Sequence, residues 1–276
     1  MTNDAVSSYP TSSWADWVPM RLVGRDAAEW LNGQCTQAVA AVLAAPCLET
    51  GFCDERGRVW AFGFLTLRSG EVVLALDRSR VGRFEQTVEE RVILEDVRLE
   101  KLDGVVARLA VEPDPAAVLA VPAGRWWLSL STSGATESAV DRDAAEIALG
   151  WPGAAEFAQA PLVQELGPEF LSRAVSFSKG CYVGQEIVAR VQSRGRVHRR
   201  WVALTVSKPL AAGATVLAAS GREAAVLRQG RLPDDRWICS ALLSIEDAVP
   251  GQIVAVKSGE RVLEASIAVP GRIDLP

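Results

Sequence analysis

The stretch Ser176-Phe-Ser-Lys-Gly-Cys-Tyr-Val-Gly-Gln-Glu-Ile-Val-Ala-Arg190 carries the most information in this 276-residue chain. Val183, Ile187, Val188 and Val191 recur at helical spacing and predict an amphipathic helix. Gln185, Glu186 and Arg190 stand largely off its apolar face. Gly180, just ahead, allows a close backbone approach or a positive φ. That places Cys181 at or near the helix N-terminus, where free backbone N–H groups favour negative charge. Lys179 adds a second positive influence, and both would favour a thiolate. Blander readings stand beside these: Cys181 or Tyr182 as core packing, Lys179 as a solvated lysine, Gln185 and Glu186 as first-turn residues that only complement the helix dipole.

Working outward, residues 151–177 hold three prolines and little periodicity, the pattern of a long irregular segment that wraps another unit or carries function. Beyond Arg200 short β-rich runs recur about every ten residues: Trp201–Val206, Thr215–Ala218, Ala224–Leu227, Trp237–Leu243, Ile253–Val256 and Arg261–Ile267. Their spacing predicts a small barrel or sandwich.

Upstream, Asp26-Ala-Ala-Glu29 predicts a capped helix start and Gly33 its end. Val59–Leu67 and Val72–Leu76 predict strands, joined by a turn at Arg68-Ser-Gly70 and preceded by a turn at Asp54-Glu-Arg-Gly57. Asp77 or Ser79 caps a second helix, with Val81, Phe84 and Val88 inward. Strands follow near Val92–Leu99 and Val105–Val111. Three prolines between Glu112 and Gly124 suggest a linker or seam. Trp126–Leu130 predicts a strand, and Asp141–Leu149 a helix stopped by Gly150. Helices on one face of an antiparallel sheet give an α+β class. The organisation predicted is a disordered arm at 1–13, an N-terminal α+β domain at 14–112, a central α+β domain at 113–200 and a β-barrel at 201–276.

Lys and Arg total 29 against 34 Asp and Glu, a net charge of −5. Direct nucleic-acid binding is therefore not expected, although Arg190, Arg194, Arg196, Arg199 and Arg200 cluster around the only histidine, His198. The cluster is either a solvated surface or an anion site. No apolar run reaches the length of a membrane span, and the polar start lacks a signal pattern, so a cytoplasmic location is expected. The five cysteines form no CxxC pair and match no zinc spacing, and no metal site is predicted.

The octet Lys179–Glu186, with Glu-Ile-Val-Ala-Arg190 behind it, resembles the signature of the YgfZ-type folate-binding family, relatives of the glycine cleavage aminomethyltransferase (T-protein). Val23 to Gln37 is similar to that family's opening helix and following turn, and Leu48 to Phe62 to its first hairpin. The resemblance implies aminomethyltransferase-like folate-binding domains followed by a small C-terminal β-barrel. It also implies tetrahydrofolate or a one-carbon-substituted derivative as cofactor, and iron–sulfur client or assembly proteins as partners. It implies an accessory role in iron–sulfur cluster assembly or repair, with an effect on iron–sulfur-dependent tRNA modification. The alternative is a tetrahydrofolate-dependent aminomethyltransferase or other one-carbon transferase. Cys181 and Lys179 are the implied chemical residues. Lys179, Gly180, Tyr182, Gly184, Gln185, Glu186, Arg190 and Arg194 are the implied cofactor contacts. The chain departs from the family pattern in Glu146-Ile-Ala-Leu-Gly150-Trp-Pro152, where many members carry an Arg ahead of a Gly-x-Pro, and at Gln164-Glu165, where some show Asn. No pterin-binding carboxylate is assigned.

Overall fold

The computed structural model describes residues 13–68, 70–132 and 140–276. Residues 1–12 of the predicted arm at 1–13 and Ser69 of the predicted turn lie outside them. Ser13, placed in the arm by sequence, caps a 3-10 turn at Trp14–Asp16.

An antiparallel five-stranded sheet comes first. Its strands are β1 (Trp17–Val23), β2 (Leu48–Cys53), β3 (Val59–Arg68), β4 (Glu71–Asp77) and β5 (Arg98–Lys101), in the order β2-β3-β4-β1-β5. Helices α1 (Ala27–Gln34) and α2 (Arg78–Arg91) cover one face, where Trp30, Leu31, Phe84 and Val88 meet Met20, Leu22, Phe52 and Leu74. The other face, carrying Trp17, Phe62 and Phe64, is buried in a core shared with the rest of the chain. Burial on both faces explains why β3 reads as a near-continuous apolar run rather than an alternation.

A second sheet has the order β6-β8-β7, from β6 (Val106–Ala110), β7 (Leu119–Ala123) and β8 (Trp126–Ser131). Strand β7 occupies the proline-bearing stretch expected to be a linker. Leu119, Val121 and Ala123 bury their side chains, and Pro122 sits on the exposed face of this edge strand. Next come α3 (Arg142–Leu149), α4 (Ala154–Phe157), a 3-10 turn at Val163–Leu166, α5 (Pro168–Ala174) and α6 (Gln185–Arg194). The three short elements from 154 to 174 replace the irregular segment expected there. Each is too short to show periodicity.

The chain ends in a closed six-stranded barrel, β10-β11-β12-β9-β14-β13. Its strands are β9 (Arg199–Val206), β10 (Thr215–Leu217), β11 (Glu223–Arg231), β12 (Trp237–Ser244), β13 (Ile253–Ser258) and β14 (Arg261–Ala268). All six predicted runs are strands, and the α+β class with a C-terminal barrel is the observed one.

Three local expectations fail. Asp26 makes no capping hydrogen bond. Its carboxylate accepts instead from the Asp96 N–H at 2.8 Å, because the chain returning after α2 passes beside it. Gly33 does not end α1, which continues to Gln34. Residues 92–97 form no strand, and β5 starts only at Arg98.

The units are joined through a buried charge hub. Glu146 on α3, 1% exposed, accepts from Arg142 Nε at 2.6 Å and Trp17 Nε1 at 3.0 Å, and from Arg228 Nη1 at 2.6 Å. Arg142 also donates to Asp77 at 2.6 Å, and Arg228 to Glu156 at 3.1 Å and the Trp151 carbonyl at 2.7 Å. A register shift between Val226 and Arg228 marks a bulge in β11, the device that re-aims a strand side chain. The barrel comes so close to α3 that a Cβ on Gly230 would lie 2.4 Å from the Ala144 nitrogen. Glu146→Gln removes one charge facing two buried guanidiniums. It is expected to cost about 3 kcal/mol or more, read as a lower urea midpoint at unchanged m-value.

Candidate functional site

The octet is stitched to the end of α1. Lys179 Nζ donates to the carbonyls of Asn32, Cys35 and Gln37 at 2.5, 2.8 and 3.0 Å. These carbonyls face outward where the helix ends, so a cation there also meets the negative end of its dipole. Burial pulls the Lys179 ammonium below its ordinary pKa, against the raising effect of Cys35. The ammonium lies 5.1 Å from the centre of the buried Tyr182 ring. Val183 N–H donates to the Gly33 carbonyl at 3.2 Å, and Ser176 N–H to that of Thr36 at 3.0 Å. Lys179 is thus a tether whose three protons are all committed.

The glycine that the backbone requires is Gly184, not Gly180. Gly184 caps α6 at φ +81, and a Cβ there would lie 2.3 Å from the Asp54 carbonyl oxygen in the β2–β3 turn. Gly57 in that turn packs reciprocally on Ile187. Gly180 has open space where its Cβ would be. The two segments that carry the family resemblance therefore touch through two glycines.

Helix α6 starts at Gln185, so Cys181 does not sit at its N-terminus. The Cys181 thiol is exposed, ahead of the tight turn at Gly184. Of the other cysteines, Cys35, Cys53 and Cys239 are buried and Cys47 is half-buried. Burial pushes the thiols of Cys35, Cys47 and Cys53 upward, and that of Cys239 up to about 12. Along α6 only Val188 is fully buried, while Ile187 and Val191 are half-buried.

Of the predicted contacts on α6, Gln185 is half-buried, and Glu186, Arg190 and Arg194 are exposed. Glu186 pairs with Arg190 at 2.5 Å, both more than half exposed, a pair worth only a few tenths of a kcal/mol. Arg194 and Arg196 are exposed. Arg199 is bound to the buried Glu165 at 2.9 Å, and Gln164 Nε2 donates to the Val188 carbonyl at 2.8 Å. Gln164-Glu165 thus fastens α6 and β9 together. The arginine cluster divides into solvated residues, one structural residue and Arg200, which lines a cavity.

Three sizeable cavities, of about 620, 590 and 310 Å³, are lined by residues outside the octet. The first lies between β2, β8, α5 and the C-terminal segment. Its walls include Glu49, Trp126, Trp151, Arg173 and Arg272. The Glu49 carboxylate accepts from Trp151 Nε1 at 3.0 Å and Arg173 Nε at 2.9 Å. Burial pushes the Glu49 carboxyl upward and Arg173 opposes it. Each Glu49 oxygen keeps a free lone pair. The second cavity is walled by the charges around Arg142 and Arg228, already paired with one another, and has no aromatic side. Sequence reading missed the first set because its members come from five distant segments, none of which carries a motif. Among the described residues no group of three potential ligands is placed to hold a metal ion. Among the described residues no helix is long and apolar enough to cross a membrane.

No family model matches the chain. Among curated proteins, the tRNA-modifying protein YgfZ of Vibrio atlanticus (strain LGP32) is 26% identical over 221 residues, 70% of this chain and 68% of the relative. That of Pectobacterium atrosepticum is 28% identical over 238 residues, 72% and 71% of the two chains. Among solved structures, glycine cleavage system aminomethyltransferase T from Bartonella henselae superposes with a TM-score of 0.67 at 13% identity, covering 95% of this chain and 86% of that one. The chain is similar to the YgfZ tRNA-modifying proteins along about seven-tenths of its length, and it has the fold of aminomethyltransferase T.

Proposed function

We propose that this protein binds tetrahydrofolate, or a one-carbon derivative, in the cavity of about 620 Å³ and serves as an accessory factor in iron–sulfur cluster assembly or repair. The observation that carries the folate assignment is the donor set there. Glu49 offers a carboxylate edge to the pterin's N–H groups, Trp126 and Trp151 offer aromatic surface, and Arg125, Arg173 and Arg272 can pair with the glutamate tail. The volume lies within the range of about 300–1,000 Å³ that ligand cavities occupy. Folate then sits away from the octet, whose arrangement supports a different task. Lys179, Tyr182 and Gly184 hold a loop that presents the Cys181 thiol outward to a client. An influence on iron–sulfur-dependent tRNA modification follows through such clients, in keeping with the name carried by the relatives.

Calorimetry with tetrahydrofolate is expected to show binding. Glu49→Gln is expected to weaken it by about 10- to 100-fold, the loss of a charge-assisted hydrogen bond. Unchanged affinity in that variant removes the folate from this cavity. Site-resolved iodoacetamide labelling of the folded protein is expected to modify Cys181 ahead of Cys35, Cys47, Cys53 and Cys239, because the thiolate must form and be reached. Cys181→Ala is expected to keep the melting temperature and folate affinity while losing support of an iron–sulfur client in a complementation assay. Full support by the variant makes the thiol dispensable.

A further inference from the structure

Residues 188–200 hold five arginines and His198 and no Asp or Glu, in a chain whose net charge is −5. Arg190 and Arg194 lie one turn apart on the outer face of α6, and Arg196 follows within about 7 Å of chain. All three are exposed, as is His198. The β2–β3 turn packs against the same helix, where a Cβ on Gly57 would lie 3.1 Å from Ile187. That turn brings the exposed Arg56 and the half-buried Arg58 to the edge of the face. Arg58 and Arg199 approach a single carboxylate, that of Glu165, at 3.9 and 2.9 Å.

Four carboxylates belong to this face, and each is engaged. Glu165 is shared by two arginines, Glu186 pairs with Arg190 at 2.5 Å and Glu55 with Arg91 at 2.8 Å. The Asp54 carboxylate accepts from the backbone N–H groups of Arg56 and Arg58 at 3.0 and 2.9 Å. Seven guanidiniums therefore stand against four carboxylates. On the barrel side of His198, Glu246 is paired with Arg222 at 3.5 Å and cancels none of the excess.

The composition of the face selects its partner. Among the described residues no large apolar side chain between Phe177 and Ile245 is exposed, and no Phe, Tyr or Trp on this face is exposed. Protein interfaces are anchored by such side chains, and single-stranded nucleic acid stacks its bases on them. Contacts to phosphate need only charge and N–H donors, and a guanidinium presents paired donors that match phosphate oxygens. α6 is also embedded rather than projecting: Val188 is buried, Ile187 and Val191 are half-buried, and Gln164 binds the Val188 carbonyl. A helix flanked in this way cannot enter the major groove of DNA, which reads a projecting helix. The minor groove of an RNA helix is wide and shallow and displays 2′-hydroxyls beside the phosphates. Gln192 and Ser193, exposed between the arginines, can exchange hydrogen bonds with those hydroxyls.

We propose that α6, residues 195–199 and the β2–β3 turn form a docking surface for double-helical RNA, held through its phosphates and 2′-hydroxyls without sequence selection. The net charge argues against a general affinity for nucleic acid; the folded chain collects its cationic excess on one face, and the acidic remainder confines contact to it. The surface is separate from the cavity of about 620 Å³ and requires neither the folate nor the client assignment.

The test is fluorescence anisotropy of the full chain with bulk tRNA and with an RNA duplex of about 20 base pairs. The same sequence as duplex DNA and poly-L-glutamate as competitor serve as comparisons. Both RNAs are expected to bind with Kd of about 1–100 μM, the range of binding without sequence selection. The logarithm of affinity is expected to fall against the logarithm of salt with a slope of about −2 to −3, from release of counterions at about three phosphates. Arg194→Gln and Arg196→Gln are each expected to weaken both RNAs alike and to lower the slope by about 1. The double reversal Arg194→Glu with Arg196→Glu is expected to abolish binding. These side chains are exposed, so melting temperature and tetrahydrofolate affinity are expected to stay at parent values. Arg261→Gln, an exposed arginine on the barrel, is expected to bind RNA as the parent does. Absence of RNA binding at about 50 mM salt overturns the proposal, as does undiminished binding by the double reversal or an equal loss in Arg261→Gln. Duplex DNA binding as tightly as RNA overturns it too, and so does poly-L-glutamate displacing the RNA at equal charge, which assigns the face to an acidic protein.

Discussion

One buried carboxylate holds the architecture together. Glu146 takes hydrogen bonds from Trp17 on the first sheet, Arg142 on its own helix and Arg228 on the barrel, so three units converge on two oxygens. Charges removed from water this way gain little net stability over a well-packed apolar core, but breaking the set leaves charge without compensation. The interaction therefore specifies relative placement more than it adds stability. The bulge in β11 and the close approach at Gly230 serve the same contact.

The cavities follow from that arrangement. α3 and α5 are braced between the first sheet, the second sheet and the barrel, and rigid elements meeting at angles leave space at their seams. The Glu49, Trp151 and Arg173 cluster occupies one seam. Charged groups there are only partly neutralised by protein partners, the condition under which a small ligand gains most from entering.

The octet plays a different part. Its lysine is spent on three carbonyls and its second glycine on a backbone contact, so the motif is largely a device for shaping a loop. What it presents is a single exposed thiol. The cavity of about 620 Å³ and the thiol lie in different places, which suits the proposed function, in which small molecule and client are engaged separately.

Much of the fold was legible in the sequence. Six barrel strands announced themselves by alternation and by Gly, Pro and Asp punctuation. The caps at Asp77 and Gly150 were readable because capping is local chemistry within a few residues. Strand β7 and the short helices between 154 and 174 were not readable, because only tertiary packing stabilises elements of that length. Asp26 looked like a cap until the distant Asp96 amide claimed its carboxylate. The octet was visible as a motif, but which glycine is constrained depended on the Asp54 carbonyl, more than a hundred residues away. The same holds for function. The sequence by itself determined the class, the barrel and the family resemblance, since these rest on periodicity and contiguous residues. Only the tertiary structure decided that Lys179 is a tether, that Cys181 faces solvent and that Glu49, Trp151 and Arg173 share a cavity. Burial, partner choice and enclosed volume arise when segments far apart in the chain are brought within hydrogen-bonding distance.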